Sequence, residues 1–156
     1  VEKGDSIVLA TSLGQSIRFK ESNIREMGRG ATGVRAIKLS KGDTLIGAGS
    51  VSAEDKNVEL MVMSANGYGK KTNIKEYKIQ NRGGSGIKTA KVTPKTGKII
   101  AASVVTEKQN EIVAISKKGQ VIRTGMKDIP SLGRQTQGVR IMKLRAGDSI
   151  ASLVCF

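Results

Sequence analysis

Gly28-Arg29-Gly30-Ala31-Thr32-Gly33-Val34-Arg35 recurs as Asn81-Arg82-Gly83-Gly84-Ser85-Gly86-Ile87-Lys88 and again as Gly133-Arg134-Gln135-Thr136-Gln137-Gly138-Val139-Arg140. Upstream of each copy stands a second recurring element: Gly14-Gln15-Ser16-Ile17-Arg18-Phe19, Gly67-Tyr68-Gly69-Lys70-Lys71-Thr72 and Gly119-Gln120-Val121-Ile122-Arg123-Thr124. Both return at about 52 residues, inside the period range of propellers and other repeat arrays. A repeated unit repeats its surface. A cation placed once per unit therefore becomes a track of cations in the assembled array.

Working outward from these elements, each unit reads as four strands. An apolar run, such as Leu60-Met61-Val62-Met63, reaches a second run through a tight turn ending in glycine. Asn66-Gly67 is the clearest of these turns, because both residues accept positive φ. A connector of about ten residues carries the Gly-Arg segment. A third strand is expected over Val34 to Leu39, Ile87 to Val92 and Val139 to Leu144. A turn at Lys41-Gly42-Asp43, Lys95-Thr96-Gly97 or Ala146-Gly147-Asp148 then leads to a fourth strand. Four strands per unit is the count of a propeller blade. The expected architecture is all-β, with blades at 7–51, 58–105 and 111–154 in one repeat domain spanning 1–156, and with strand exchange between neighbours allowed.

The third strand carries two cations three residues apart, as in Val34-Arg35-Ala36-Ile37-Lys38-Leu39. Such residues point to opposite faces of a regular strand. Either a bulge resets the register, or the strand is buried on both faces except at its cations.

The chain has 156 residues, 38% of them apolar, no Trp, and only Phe19, Tyr68, Tyr77 and Phe156 as aromatics. Its core must be aliphatic. The formal charge of +14, from 27 Lys+Arg against 13 Asp+Glu, repels itself and calls for a compensating partner. Nucleic acid, an anionic membrane and an acidic protein are the candidates. The membrane is disfavoured: no apolar run approaches the roughly 18 residues of a spanning helix, and no basic amphipathic helix is visible. The one cysteine, Cys155, excludes an internal disulfide framework and reads as a small core residue. The chain opens at Val1 without a signal-like leader, which predicts a piece of a longer cytoplasmic polypeptide.

Gln80-Asn81-Arg82-Gly83-Gly84-Ser85-Gly86 places three glycines within four positions beside an arginine. Bare backbone N–H groups in such a loop can hold an anion, with Arg82 as a bidentate phosphate ligand. The alternative is that the glycines only turn a tight corner. Arg29 and Arg134 stand at the equivalent places. A second set lies on hairpins and connectors: Arg18, Lys20, Arg25, Lys70, Lys71, Lys75, Lys117, Lys118, Arg123 and Lys127. The third-strand cations Arg35, Lys88 and Arg140 complete the candidate interface. With so few aromatics, stacking on single-stranded bases is a poor fit. Duplex DNA gripped through its phosphates, with little sequence preference and strong salt dependence, is the better one.

Catalysis finds little support. The chain has no His and a single Cys, so neither a His-based triad nor a thiolate metal cage is available. The glycine loop does not match the phosphate loop of nucleotide hydrolases. No metal or cofactor is expected. Asp43 and Asp148 sit at equivalent turns and read as turn formers.

The recurring Gly-Arg-x-x-x-Gly-Val/Ile element on four-stranded units resembles the C-terminal DNA-wrapping domain of the bacterial DNA gyrase A protein. The corresponding protein of topoisomerase IV carries a related domain. The stretches Ile17-Arg18-Phe19-Lys20-Glu21-Ser22 and Asn66-Gly67-Tyr68-Gly69-Lys70-Lys71-Thr72 are close to gyrase forms. The resemblance implies a β-pinwheel, a propeller-like disc commonly of six blades, of which this chain would supply three. It implies duplex DNA bent around a basic rim in support of ATP-dependent negative supercoiling. The remaining domains of gyrase A, together with gyrase B, would be partners, using ATP and Mg elsewhere in the enzyme, in the bacterial cytoplasm at the nucleoid. The loop at Gln80, Arg82, Gly83, Gly84 and Gly86 is similar to the family's signature box, with Asn81 and Ser85 in place of basic residues. Phosphate contact carries over to those five positions. Three blades leave open edges, so self-association, strand swapping or an open arc is expected. A topoisomerase IV domain and a basic protein-interaction propeller are the competing readings.

Overall fold

The computed structural model describes residues Val1–Phe156 as three antiparallel sheets in a row. In the first, β1 (Ser6–Thr11) pairs with β2 (Gln15–Lys20) on one side and β3 (Leu45–Val51) on the other. The second repeats this with β4 (Glu59–Ser64), β5 (Tyr68–Asn73) and β7 (Ile99–Val105). The third does so with β8 (Glu111–Ser116), β9 (Val121–Gly125) and β11 (Ile150–Cys155).

The fourth strand of each complete sheet comes from the next repeat. β6 (Ile87–Lys88) pairs with β2, and β10 (Val139–Arg140) pairs with β5. Only the first two sheets therefore have four strands; the third ends at β9 with three. The segment Val34 to Leu39, expected as a strand, is not one.

The other two third strands are also shorter than expected. Thr89 and Ala90 both donate their amides to the Gly14 carbonyl (2.8 and 3.4 Å), and Ile141 and Met142 both donate to that of Gly67 (2.8 and 3.1 Å). Two residues against one is a bulge, and it resets the register. As a result Thr89, Ala90 and Met142 are buried while Lys88, Lys91, Arg140 and Lys143 on either side stay exposed.

The core lies between the sheets. Val8 and Val51 of the first sheet pack with Leu60, Val62 and Ile99 of the second, capped by Ile74, Tyr77 and Ala90. Met61, Met63 and Val105 of the second pack with Ile112, Ala114 and Ile150 of the third, capped by Met126, Ile129 and Met142. Alternate residues of β4 thus serve two cores, which is why it reads as a continuous apolar run. Each fully buried aliphatic side chain contributes about 1.5–3 kcal/mol.

The connectors each contain one turn of 3₁₀-helix, at Glu21–Asn23, Ile74–Glu76 and Met126–Asp128. Asp43 and Asp148 do form turns. Asp43 accepts from the Ser12 hydroxyl and the Leu13 and Thr44 amides, and Asp148 from the Ser116 hydroxyl and the Lys118 and Ser149 amides. Burial alone would push both carboxyls up; these hydrogen bonds outweigh it and hold them below the usual range.

Candidate nucleic-acid interface

The recurring arginines face the protein. Arg82 donates through Nε to the Asn23 carbonyl (2.9 Å) and through Nη1 to that of Arg35 (3.1 Å). Arg134 donates through Nη1 to the Lys88 carbonyl (2.9 Å), the equivalent acceptor one repeat later, while its amide donates to Glu76 (3.2 Å). Each of these two arginines staples its loop to the third segment of the preceding repeat. Arg29 stands exposed.

The glycines beside Arg82 serve packing as well. The Gly83 amide donates to the Ala36 carbonyl (2.7 Å), and the Gly84 carbonyl accepts from the Lys38 amide (2.8 Å). A Cβ on Gly86 would run into the Ser16 carbonyl, and one on Gly138 would lie 2.5 Å from that of Gly69. The Gln80 amide is tied to the Arg18 carbonyl (2.7 Å). The loop is a corner built for close approach, and the Gln80 and Gly83 amides, expected to be bare, are engaged within the protein.

Lys70 is a second correction. It is 1% exposed, so its ammonium is no surface contact. It donates to the carbonyls of Gly133 (2.5 Å) and Arg134 (2.8 Å) and to the Thr136 hydroxyl (3.1 Å). Burial pushes it down to about 8, with Glu76 opposing the shift and Arg134 adding to it. Arg18 is also turned inward, donating to Ser6 Oγ (2.9 Å) and the Ile74 carbonyl (3.1 Å), and burial lowers its pKa. Its counterpart Lys71 pairs with Glu59 at 3.1 Å, and Arg123 pairs with Glu111 at the surface.

The remaining candidates are exposed. Lys20 ends β2, Arg25 lies on the first connector, Lys75 and Lys127 on the later 3₁₀ turns, and Lys117 and Lys118 at the third hairpin. Arg35, Lys88 and Arg140 are exposed at one equivalent place per repeat, and Lys38, Lys91 and Lys143 at another. The structure thus keeps paired cations on the third segment of every repeat and turns Arg18 and Lys70 of the second strands inward, while Lys20 and Arg123 stay exposed.

One cluster is not visible in the sequence. Lys95 and Arg140 both lie 5.5 Å from the Tyr68 ring centroid, and Arg140 Nη2 donates to the Tyr68 hydroxyl (3.0 Å). With Lys143 they line a basic cleft whose one carboxylate, Asp148, is already engaged by its turn. Lys95 comes from a turn of the second repeat and Arg140 from the third segment of the next, so only the strand exchange brings them together. A further cleft, between the second and third sheets, is lined by Asn57, Glu59, Lys71, Asn73 and Lys127 among others. No group of three or more His, Cys, Asp or Glu is placed to hold a metal, and no helix is long and apolar enough to cross a membrane.

The family described as DNA gyrase C-terminal domain, beta-propeller, matches residues 5–52, 59–106 and 110–156. The DNA gyrase A protein of Staphylococcus epidermidis is 40% identical over 149 residues, covering 96% of this chain and 16% of the relative. That of Staphylococcus aureus is 39% identical over 140 residues, again 16% of its length. A solved DNA gyrase A C-terminal domain superposes with a TM-score of 0.88 at 29% identity, over 100% of this chain and 52% of the other. The C-terminal domain of DNA topoisomerase IV gives 0.89 at 19% identity, over 98% and 47%, a likeness of fold.

Proposed function

Since the chain belongs to the DNA gyrase C-terminal β-propeller family, we propose that it is a non-catalytic module that holds duplex DNA along its exposed third-segment cations. One observation carries this reading. In all three repeats the paired cations Arg35 and Lys38, Lys88 and Lys91, Arg140 and Lys143 stay solvent-exposed. In the second and third repeats the bulge buries residues between them. Phosphates along a duplex are met by charge at regular intervals, and such contacts position without reading sequence. The exposed Lys20, Arg25, Lys75, Lys117, Lys118 and Lys127 extend the same field.

In the parent enzyme such contacts would bend the duplex around the rim and present a crossing segment of defined hand to the other domains of gyrase A and to gyrase B. Strand passage, with its ATP and Mg, would take place there, at the bacterial nucleoid in the cytoplasm. The identities of 40% and 39% to gyrase proteins favour gyrase over topoisomerase IV, which is matched at 19% in fold.

The test is duplex binding against salt. Replacing Arg35, Lys88 and Arg140 together by Gln should weaken binding alike on unrelated sequences. It should also flatten the slope of log K against log salt by about 0.9 per lost phosphate contact. Replacing Arg82 and Arg134 should instead lower stability by about 1 kcal/mol for each lost hydrogen bond. A triple variant with wild-type affinity and slope would remove the proposed rail. For wrapping, a relaxed plasmid incubated with the chain and a relaxing enzyme should retain writhe of one sign.

A further inference from the structure

The junction between the second and third repeats gathers three cations around one ring. Lys95, Arg140 and Lys143 line a single cleft with the buried Tyr68. None of the three is in an ion pair. The one carboxylate of the cleft, Asp148, spends its oxygens on the Ser116 hydroxyl and on the Lys118 and Ser149 amides. Like charges held together repel, so a cluster of this kind favours an anion between them.

Local structure fixes each cation in place. Arg140 stands opposite Tyr68 across β10 and β5, and its Nη2 donates to the phenol oxygen (3.0 Å). That bond orients the guanidinium and leaves its other N–H groups for a ligand. Residues three apart on a regular strand point to opposite faces. Here Ile141 and Met142 both donate to the Gly67 carbonyl, and this bulge brings Arg140 and Lys143 to the same cleft. Asn66 donates through Nδ2 to the carbonyls of Lys95 (3.0 Å) and Pro94 (3.3 Å), which pins the turn that carries Lys95. The Tyr68 ring, 5.5 Å from both Lys95 and Arg140, offsets part of their repulsion.

The cleft measures about 260 Å³, below the roughly 300–1,000 Å³ of sites that enclose a whole small molecule. Its size and charge suit one phosphate group of a longer ligand. At the first junction the equivalent cross-strand pair is Lys88 opposite Gln15. Only the second junction joins a guanidinium to an aromatic ring.

On the reading that the chain holds duplex DNA, we propose that this cleft seats one backbone phosphate and anchors the duplex on the cation track. Arg140 meets the phosphate oxygens through its free N–H groups. Lys95 of one repeat and Lys143 of the next add their ammonium donors, and hydrogen bonds between charged groups are the strong ones. Tyr68 touches no phosphate; it is a positioning residue that holds Arg140.

Two titrations test this. The first adds inorganic phosphate to isotope-labelled chain, with ionic strength held constant by chloride. Amide shifts at Asn66, Lys95 and Arg140 should saturate before those at Lys38 and Lys41. The second measures duplex binding against salt. Lys95→Gln should weaken binding by about tenfold and flatten the slope of log K against log salt by about 0.9. Lys41→Gln removes the exposed turn lysine of the first repeat and should cost no more than about twofold. Tyr68→Phe should weaken binding by about threefold with the slope unchanged, since it removes a hydrogen bond and no charge. Equal losses from Lys95→Gln and Lys41→Gln, in a chain that binds duplex, overturn the anchor and leave the duplex-holding reading standing. Phosphate shifts spread evenly over the exposed lysines also overturn it. Wild-type affinity in Tyr68→Phe overturns the positioning role. A wild type that binds no duplex removes the reading and the anchor together; selective phosphate shifts in that case make a free phosphate ion the occupant and overturn DNA.

Discussion

At the scale of single residues, Lys70 shows what burial does to a charge whose hydrogen-bond partners are all dipoles. Its ammonium sits among two carbonyls and a hydroxyl, and is pushed down to about 8. In the unfolded chain its pKa returns to about 10.4. Between those values the unfolded state binds a proton that the folded state has released, so stability rises with pH across that window. Below about 8 the folded state carries the full cost of the buried charge. Lys70→Ile, which places there the residue found at the equivalent Ile17 and Ile122, should abolish that dependence. Urea unfolding at about pH 7.5 and about pH 9.5 should show the wild type gaining about 1–2 kcal/mol relative to the variant. An equal response in both proteins would mean that Lys70 is not held charged and buried. The arginines teach the complementary lesson. Arg29, Arg82 and Arg134 recur because the junction recurs, and a staple repeats as faithfully as a binding contact does.

At the scale of elements, the hairpin turns are joints between sheets. Gly67 combines φ of +82° with a Cβ position already filled by the Met142 carbonyl, whereas Gly119 has φ of +80° and open space. Strain at positive φ costs about 1 kcal/mol or more for alanine. Gly119→Ala should lose about that much, and Gly67→Ala should lose at least twice as much because a sheet junction must also open. Equal losses in denaturant titration would show that the joint yields freely. The strands themselves are legible in the sequence. β1, β4 and β8 announce themselves as apolar runs, and Asn66-Gly67 as a hairpin, because those signals are local. The third segment is harder to read. Its cation spacing poses a choice between a bulge and double burial, and the structure selects the bulge with a shorter strand than the apolar pattern suggests. A ladder that stops after two residues is dictated by one carbonyl of another repeat, Gly14 or Gly67. The inward turn of Lys70, the staples of Arg82 and Arg134, and the meeting of Lys95 with Tyr68 and Arg140 also depend on strand exchange, which periodicity does not orient.

At the scale of the whole molecule, three sheets share two cores, and only the middle sheet packs against another sheet on both faces. Stability in such a row is the sum of intrinsic units and neighbour interfaces, so it is highest where a unit has two neighbours. The first sheet's outer face is closed by a small cluster, Leu9, Ile17 and Phe19 with Ile7, Ala36 and Ile37, and the third leaves Ile115 39% exposed. Native-state hydrogen exchange should follow this order. Amides of β4 and β5 should exchange slowest. Those of β9 and of residues 24–39 should open first, at a small fraction of the global free energy. The charge of +14 sharpens the contrast, since mutual repulsion acts on every sheet while the opposing apolar burial is least at the ends. Raising salt should therefore slow exchange in the end sheets more than in the middle one, until screening is complete. A uniform exchange rate across the three sheets, or a uniform response to salt, would mean that the row unfolds as one unit and that its two cores are coupled more strongly than their separate composition implies.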